Sequence, residues 1–124
     1  MKLLLDTHAV IWYVEDAPQL SESAAEEIGN PANDVLVSAV VAWEIAIKRS
    51  IGKLPEGHDF VGVMLAAGAH GLPVEILHAN RVQDLPTHHR DPFDRMLIAQ
   101  ATVEGATIVS SDERIRRYDV PVLW

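Results

Sequence analysis

The sequence predicts an α/β fold built on a parallel sheet, and three observations predict it. The chain opens Lys2-Leu3-Leu4-Leu5-Asp6-Thr7-His8, an apolar run that ends in a carboxylate and a hydroxyl. A continuous apolar run is what a strand buried on both faces requires. Comparable short runs recur along the chain with helix-period segments between them, and strands alternating with helices imply parallel pairing through right-handed crossovers.

The first strand is read as Lys2–Asp6. Thr7 to Glu15 follows as a short helix carrying Val10, Ile11 and Val14, stopped by Asp16-Ala17-Pro18. A second helix over Ser21–Gly29 places Leu20, Ala24 and Ile28 inward and Glu22, Glu26 and Glu27 outward. Ser23 and Glu26 have capping-box spacing, which leaves its first residue open. After the turn at Asn30-Pro31-Ala32-Asn33, Asp34–Ser38 forms the second strand, and Ser38 caps a helix running from Ala39 to about Ile51 before Gly52. The pattern then predicts a helix over Asp59–His70, a third strand over Pro73–Leu77 and a short helix over His78–Leu85. Asp91-Pro92-Phe93-Asp94 is a helix start, with Asp91 as cap and Pro92 in the first turn; that helix ends at Gly105. Thr107–Val109, a short helix over Asp112–Tyr118 and a strand over Val120–Leu123 complete the chain.

A length of 124 residues suits one domain, residues 1–124, able to bury about two thirds of its unfolded surface. Hydrophobic residues make up 48% and charged residues 23%, as in ordinary soluble domains. The absence of cysteine excludes disulfides and thiolate metal sites and suits a cytoplasmic setting. Only three apolar residues separate Lys2 from Asp6, too few for a secretory leader, and Val35–Ile47 is interrupted by Ser38 and Glu44, so no membrane span is expected. The formal net charge of −8 argues against a general nucleic-acid binder. It leaves room for a metal-dependent nuclease, whose acids are ligands, and suits a basic protein partner.

Five acids in four segments stand out by context. Asp6 ends the first strand, where it can cap the next helix or face a site at the carboxyl edge of the sheet; Thr7 beside it can hold a carboxylate or a water. Glu44 is the one charge within Ala39–Ile47 and marks either a solvent edge or a polar pocket in the core. Asp91 and Asp94 share a helix start, where the dipole alone favours acids; Asp91 suits the cap, and Asp94 projects from fixed backbone. Asp112 follows the fourth strand, as a cap or as a site residue. Asp34, Asp59 and Asp84 read as turn or cap residues. Oxygen ligands from rigid, separate segments are what a hard divalent cation needs. No histidine pair has zinc spacing, His88 and His89 are adjacent and should diverge, and no glycine-rich phosphate loop is present.

With these residues in place the chain resembles the PIN-domain ribonucleases of the VapC-like toxin type, found in bacterial toxin–antitoxin pairs. The resemblance rests on Leu4-Leu5-Asp6-Thr7-His8, Ser38 with Trp43-Glu44-Ile45, Gly52-Lys53-Leu54, and Leu85-Pro86. It continues through His88 and Arg90-Asp91-Pro92-Phe93-Asp94-Arg95, Ala99-Gln100-Ala101, Ser110 with Asp112, and Tyr118, Val120 and Leu123-Trp124. Ser110 stands where the family often has threonine. The resemblance implies a three-layer α/β/α sandwich with five parallel strands in the order 3-2-1-4-5. It implies an acidic cluster of Asp6, Glu44, Asp94 and Asp112, with Thr7 and Ser110 as accessory hydroxyls, a homodimer, and a cognate VapB-like antitoxin crossing the active-site groove.

The expected activity is Mg²⁺- or Mn²⁺-dependent cleavage of RNA. Asp6 would be the central ligand, with Asp94 and Asp112 beside it, and Glu44 would hold a second ion or orient water. Arg95, Arg90 and Lys48 are candidate substrate contacts, with Arg49, Lys53, Arg114, Arg116 and Arg117 as further basic groups. Two rival readings are a non-catalytic interaction module, with Trp12, Trp43 and Trp124 as anchors, and an aspartate-nucleophile phosphatase. The latter wants a second aspartate where this chain has His8.

Overall fold

Three leucines without exposed surface, Leu3, Leu4 and Leu5, form the axis of the molecule. In a computed structural model that describes residues 1–124, they belong to β1 (Lys2–Leu5), followed by α1 (Thr7–Val14), α2 (Glu22–Gly29), β2 (Asp34–Ser38), α3 (Ala39–Ser50) and α4 (Phe60–Ala66). Then come β3 (His70–Leu72), α5 (Ile76–Arg81), α6 (Pro92–Glu104), β4 (Thr107–Val109) and β5 (Val122–Leu123). All pairings are parallel, and the order is β3-β2-β1-β4-β5. β1 is therefore paired on both edges and covered on both faces, which explains why it has no polar alternation. Helices cover both faces: α1 packs on α4, while α3 and α5 pack on α6. The fold is the expected three-layer sandwich. No helix is long and apolar enough to cross a membrane.

The caps follow the local chemistry. Ser21, rather than Ser23, starts α2 by accepting the Ala24 N–H at 3.1 Å. Ser38 accepts from Val40 N–H at 3.0 Å. Asp91 accepts from Phe93 and Asp94 N–H at 2.8 and 3.1 Å, with Pro92 in the first turn, where its missing N–H costs nothing. Gly105 closes α6 in the left-handed region at φ 66°, a conformation that disfavours a Cβ.

Three expectations are corrected. The helix expected to reach His70 stops at Ala66, because Gly68 turns the chain at φ 108°. The third strand is His70–Leu72, not Pro73–Leu77. Glu75 and His78 instead form a reciprocal cap on α5, leaving Ile76 and Leu77 exposed rather than in the core. The segment Asp112–Tyr118 forms only a single 3₁₀ turn, Ile115–Arg117.

A buried polar strut ties the helices that matter for the site. Ser38 Oγ donates to Gln100 Oε1 at 2.6 Å, and Gln100 Nε2 donates to the Pro73 carbonyl at 3.1 Å. His78 continues the strut to Glu104 at 3.0 Å. The start of α3 is thereby fixed against the middle of α6, with every buried polar atom of the strut satisfied.

Candidate functional site

The carboxyl edges of β1 and β4 lie side by side, at the point where the chain leaves the centre of the sheet in opposite directions. Open α/β sheets form their clefts there. A cleft of about 470 Å³ opens at this edge, and no hydrophobic residue lines it. Asp6, Thr7, Glu44, Lys48, Arg90, Asp94 and Asp112 all line it. Asp91, the cap of α6, lines it too, so five acids meet in one hollow, four of them, Asp6, Glu44, Asp94 and Asp112, from separate segments.

Each acid is held differently. Asp6 is both a helix cap and a cleft residue: its backbone N–H bonds Val109 of β4 at 3.1 Å and its Oδ1 accepts Ala9 N–H at 2.8 Å. Burial raises the pKa of its carboxyl above the usual value, against the hydrogen bonds from the Ser110 hydroxyl and Ala9 and the charge of His8. Glu44 faces the polar pocket rather than solvent; Thr7 Oγ1 donates to its Oε1 at 2.9 Å, and Lys48 Nζ lies 2.7 Å from its Oε2.

Asp94 projects from the first turn of α6. Burial, then the negative charge of Asp91, then Asp6 and Glu44, raise its pKa to about 7, with His89 opposing them. Asp112 is the exception. Burial works against its charge, but hydrogen bonds from the Arg114 side chain and backbone, and from His89, outweigh that and hold its pKa below the ordinary value. Ser110 is fully buried behind the cleft, where its Oγ also accepts the Asp112 N–H at 3.1 Å.

Arg95 is placed elsewhere. Its guanidinium donates to the carbonyls of Pro86, His89, Val82 and Leu85 and to the Tyr118 hydroxyl, at 2.8 to 3.4 Å. It anchors the segment that leads into α6 and does not line the cleft. Arg90 and Lys48 do line it, and so does Arg114.

His89 is the residue that sequence reasoning missed. The neighbouring histidines diverge as expected, but to different ends: His88 is exposed against the edge of Tyr118, whereas His89 is buried. The Nε2 of His89 lies 2.9 Å from Asp94 Oδ2 and 3.1 Å from Asp112 Oδ2. Candidate ligand atoms of His89, Asp94 and Asp112 all lie within 4.8 Å of one another. The sequence offers only a histidine two residues before a helix cap, a spacing that does not by itself mark a site residue.

Chemically, the donor set fits a hard divalent cation. It is rich in carboxylate oxygen and free of sulfur. Two of its acids, Asp6 and Asp94, resist ionisation chiefly because they are buried and also because other acids lie nearby, a penalty that the charge of a bound cation would offset.

Comparison with known proteins adds lineage. A sequence model of the PIN domain matches residues 3–121. The chain is 25% identical over 122 residues to Ribonuclease VapC22 of Mycobacterium tuberculosis, covering 96% of this chain and 93% of that protein. Among solved structures it is similar to VapBC2 from Rickettsia felis bound to a promoter DNA fragment, with a TM-score of 0.75 at 16% identity, covering 99% and 98% of the two chains. It is also similar to FitAcB from Neisseria gonorrhoeae, with a TM-score of 0.66 at 20% identity, covering 98% and 96%.

Proposed function

Since the chain belongs to the PIN domain family, we propose that it is a divalent-cation-dependent endoribonuclease, the toxin of a VapBC-like toxin–antitoxin pair acting in the cytoplasm. One observation carries the reading: Asp6, Glu44, Asp94 and Asp112 arrive from four segments in a cleft without apolar lining. The named activity of the mycobacterial relative supports ribonuclease chemistry, and the VapBC complexes among similar folds support an antitoxin partner.

In this reading Asp6, Asp94, Asp112 and Glu44 would hold Mg²⁺ or Mn²⁺. A cation held there would supply neutralising charge for the phosphoryl group and lower the pKa of the attacking water. Glu44, oriented by Thr7 and Lys48, positions that water and takes its proton. The Ser110 hydroxyl favours the ionised form of Asp6. Arg90, Lys48 and Arg114 stand at the rim as contacts for the flanking phosphates. Arg95 has no place among them. Attack by water leaves 5′-phosphate and 3′-hydroxyl ends.

Two surfaces fit protein partners. The acidic cleft suits a basic side chain of a VapB-like antitoxin. Beside it, the exposed Trp43 and Val74 line an apolar hollow between α3, α5 and the start of α6, with Val40 and Met96, a patch that suits homodimer formation.

The test is cleavage of a panel of single-stranded and structured RNAs in EDTA, Mg²⁺ and Mn²⁺, with mapping of the product ends. Cation-dependent cutting, lost in Asp6→Asn while the fold is retained, is the expected result. His8 and His88 also line the cleft, so a second chemistry can be distinguished in the same experiment. Cutting in EDTA that leaves 2′,3′-cyclic phosphates would assign the reaction to the ribose hydroxyl and refute the cation-dependent route.

A further inference from the structure

Resting on the cation-binding reading above, we infer that His89 is a positioning residue that holds the Asp94 and Asp112 carboxylates together through one shared Nε2–H, and that it does not itself ligate the cation. The hydrogen bonding assigns the tautomer. Nδ1 of His89 accepts the Asp91 N–H at 3.2 Å, so the ring hydrogen sits on Nε2. Nε2 then points at two carboxylate oxygens on different segments, 2.9 Å away on Asp94 and 3.1 Å away on Asp112. With its one hydrogen directed at them, that nitrogen has no lone pair to offer a metal.

The rest of the residue is fixed as well. The His89 N–H donates to the Tyr118 hydroxyl at 2.9 Å, and its carbonyl accepts from Arg95 Nη1 at 3.3 Å. Tyr118 and Arg95 are themselves bonded at 3.1 Å. The imidazole side chain is only 2% exposed, so water does not compete for the shared hydrogen. No other side chain bonds both Asp94 and Asp112. Asp94 rides on α6 and Asp112 on the loop after β4; His89 is the one bridge between them. This makes the cation's own shell all oxygen and gives the nitrogen a supporting task, in the manner of partners that orient metal ligands from behind.

Two variants and one spectroscopic measurement test this. His89→Gln places an amide N–H near the position of Nε2. His89→Asn places its amide near Nδ1, keeping a partner for Asp91 but leaving the two carboxylates unbridged. Mn²⁺ affinity, read by calorimetry on the intact protein, should fall about tenfold or more in the Asn variant and stay closer to wild type in the Gln variant. A residue that serves only the loop would be rescued equally by both. Pulsed electron paramagnetic resonance of wild-type protein with Mn²⁺ should show no directly coordinated nitrogen. Equal affinities in Asn and Gln variants, or a strong nitrogen coupling in wild type, would overturn the inference. Absence of any Mn²⁺ binding by wild type would overturn the cation reading as well, so the two failures are distinguishable.

Discussion

Replacing Asp94 by Asn should stabilise the cation-free protein, and by an amount that depends on pH in a defined direction. The Asp94 carboxyl is raised from 3.8 to about 7 in the folded state. An acid whose folded value lies above its unfolded value costs stability wherever the unfolded chain would ionise it. The cost is absent below pH 4, grows between pH 4 and 7, and is complete above pH 7. Three units at 1.36 kcal/mol each set an upper bound of about 4 kcal/mol. The side chain is 20% exposed, so water relieves part of this, and about 2 kcal/mol at pH 8 is the working figure. Asn keeps an oxygen to accept from His89, so the swap removes charge more than contact.

The assay is thermal unfolding in EDTA at pH 8, pH 5 and pH 3.5. The Asn variant should melt about 8 °C higher at pH 8, the gap should shrink by more than half at pH 5, and it should close at pH 3.5. Adding Mn²⁺ at pH 8 should raise the melting temperature of wild type and have much less effect on the variant. A variant no more stable than wild type at pH 8 in EDTA would refute the account of Asp94 as a buried acid among acids. So would an advantage that widens towards low pH.

Two other substitutions separate scaffold from site. Arg95→Ala should lower stability by about 2–3 kcal/mol in urea titration, since it removes charge-assisted bonds to four carbonyls and a phenol; Arg95→Lys should not recover it, lacking the planar fork. Arg90→Ala should leave stability nearly unchanged and raise the KM for RNA, and the opposite pattern in this pair would return Arg95 to the substrate contacts. Gly105→Ala, at φ 66° with open space around the missing Cβ, should cost about 1 kcal/mol from backbone strain alone, measured by the same titration.

Much of the architecture could be read from local chemistry because the signals were unambiguous there. Leu3–Leu5 has one sensible home, and Ser38, Asp91-Pro92 and Gly105 sit at helix ends that few other residues would serve. The third strand failed for a physical reason. Val74, Ile76 and Leu77 have strand-like composition, but composition cannot tell an edge strand from an apolar surface patch, and the Glu75–His78 cap that decides the matter lies in polar residues that the hydrophobic pattern does not read. The acids could be singled out one at a time, each with a local explanation: a cap or helix start for the aspartates, a solvent edge for Glu44. Asp6, Asp91 and Asp112 do accept backbone N–H groups, so capping and lining the cleft are compatible rather than competing uses. The position of His89 was not legible, since it depends on Tyr118 and Arg95, which meet it only after the sheet has closed.

The placement of β1 has a consequence in time. Leu3 pairs with Val35 and with Thr107, so β1 waits for the distant β4 before its second edge is satisfied. Ser110 is in turn tied to Leu123 through its backbone N–H. Contacts of such long sequence separation form late and slowly. During synthesis, a ribosome-bound chain can therefore display Asp6 and Glu44 while Asp112 is still unmade, and the cleft is completed only after translation has passed its final helix.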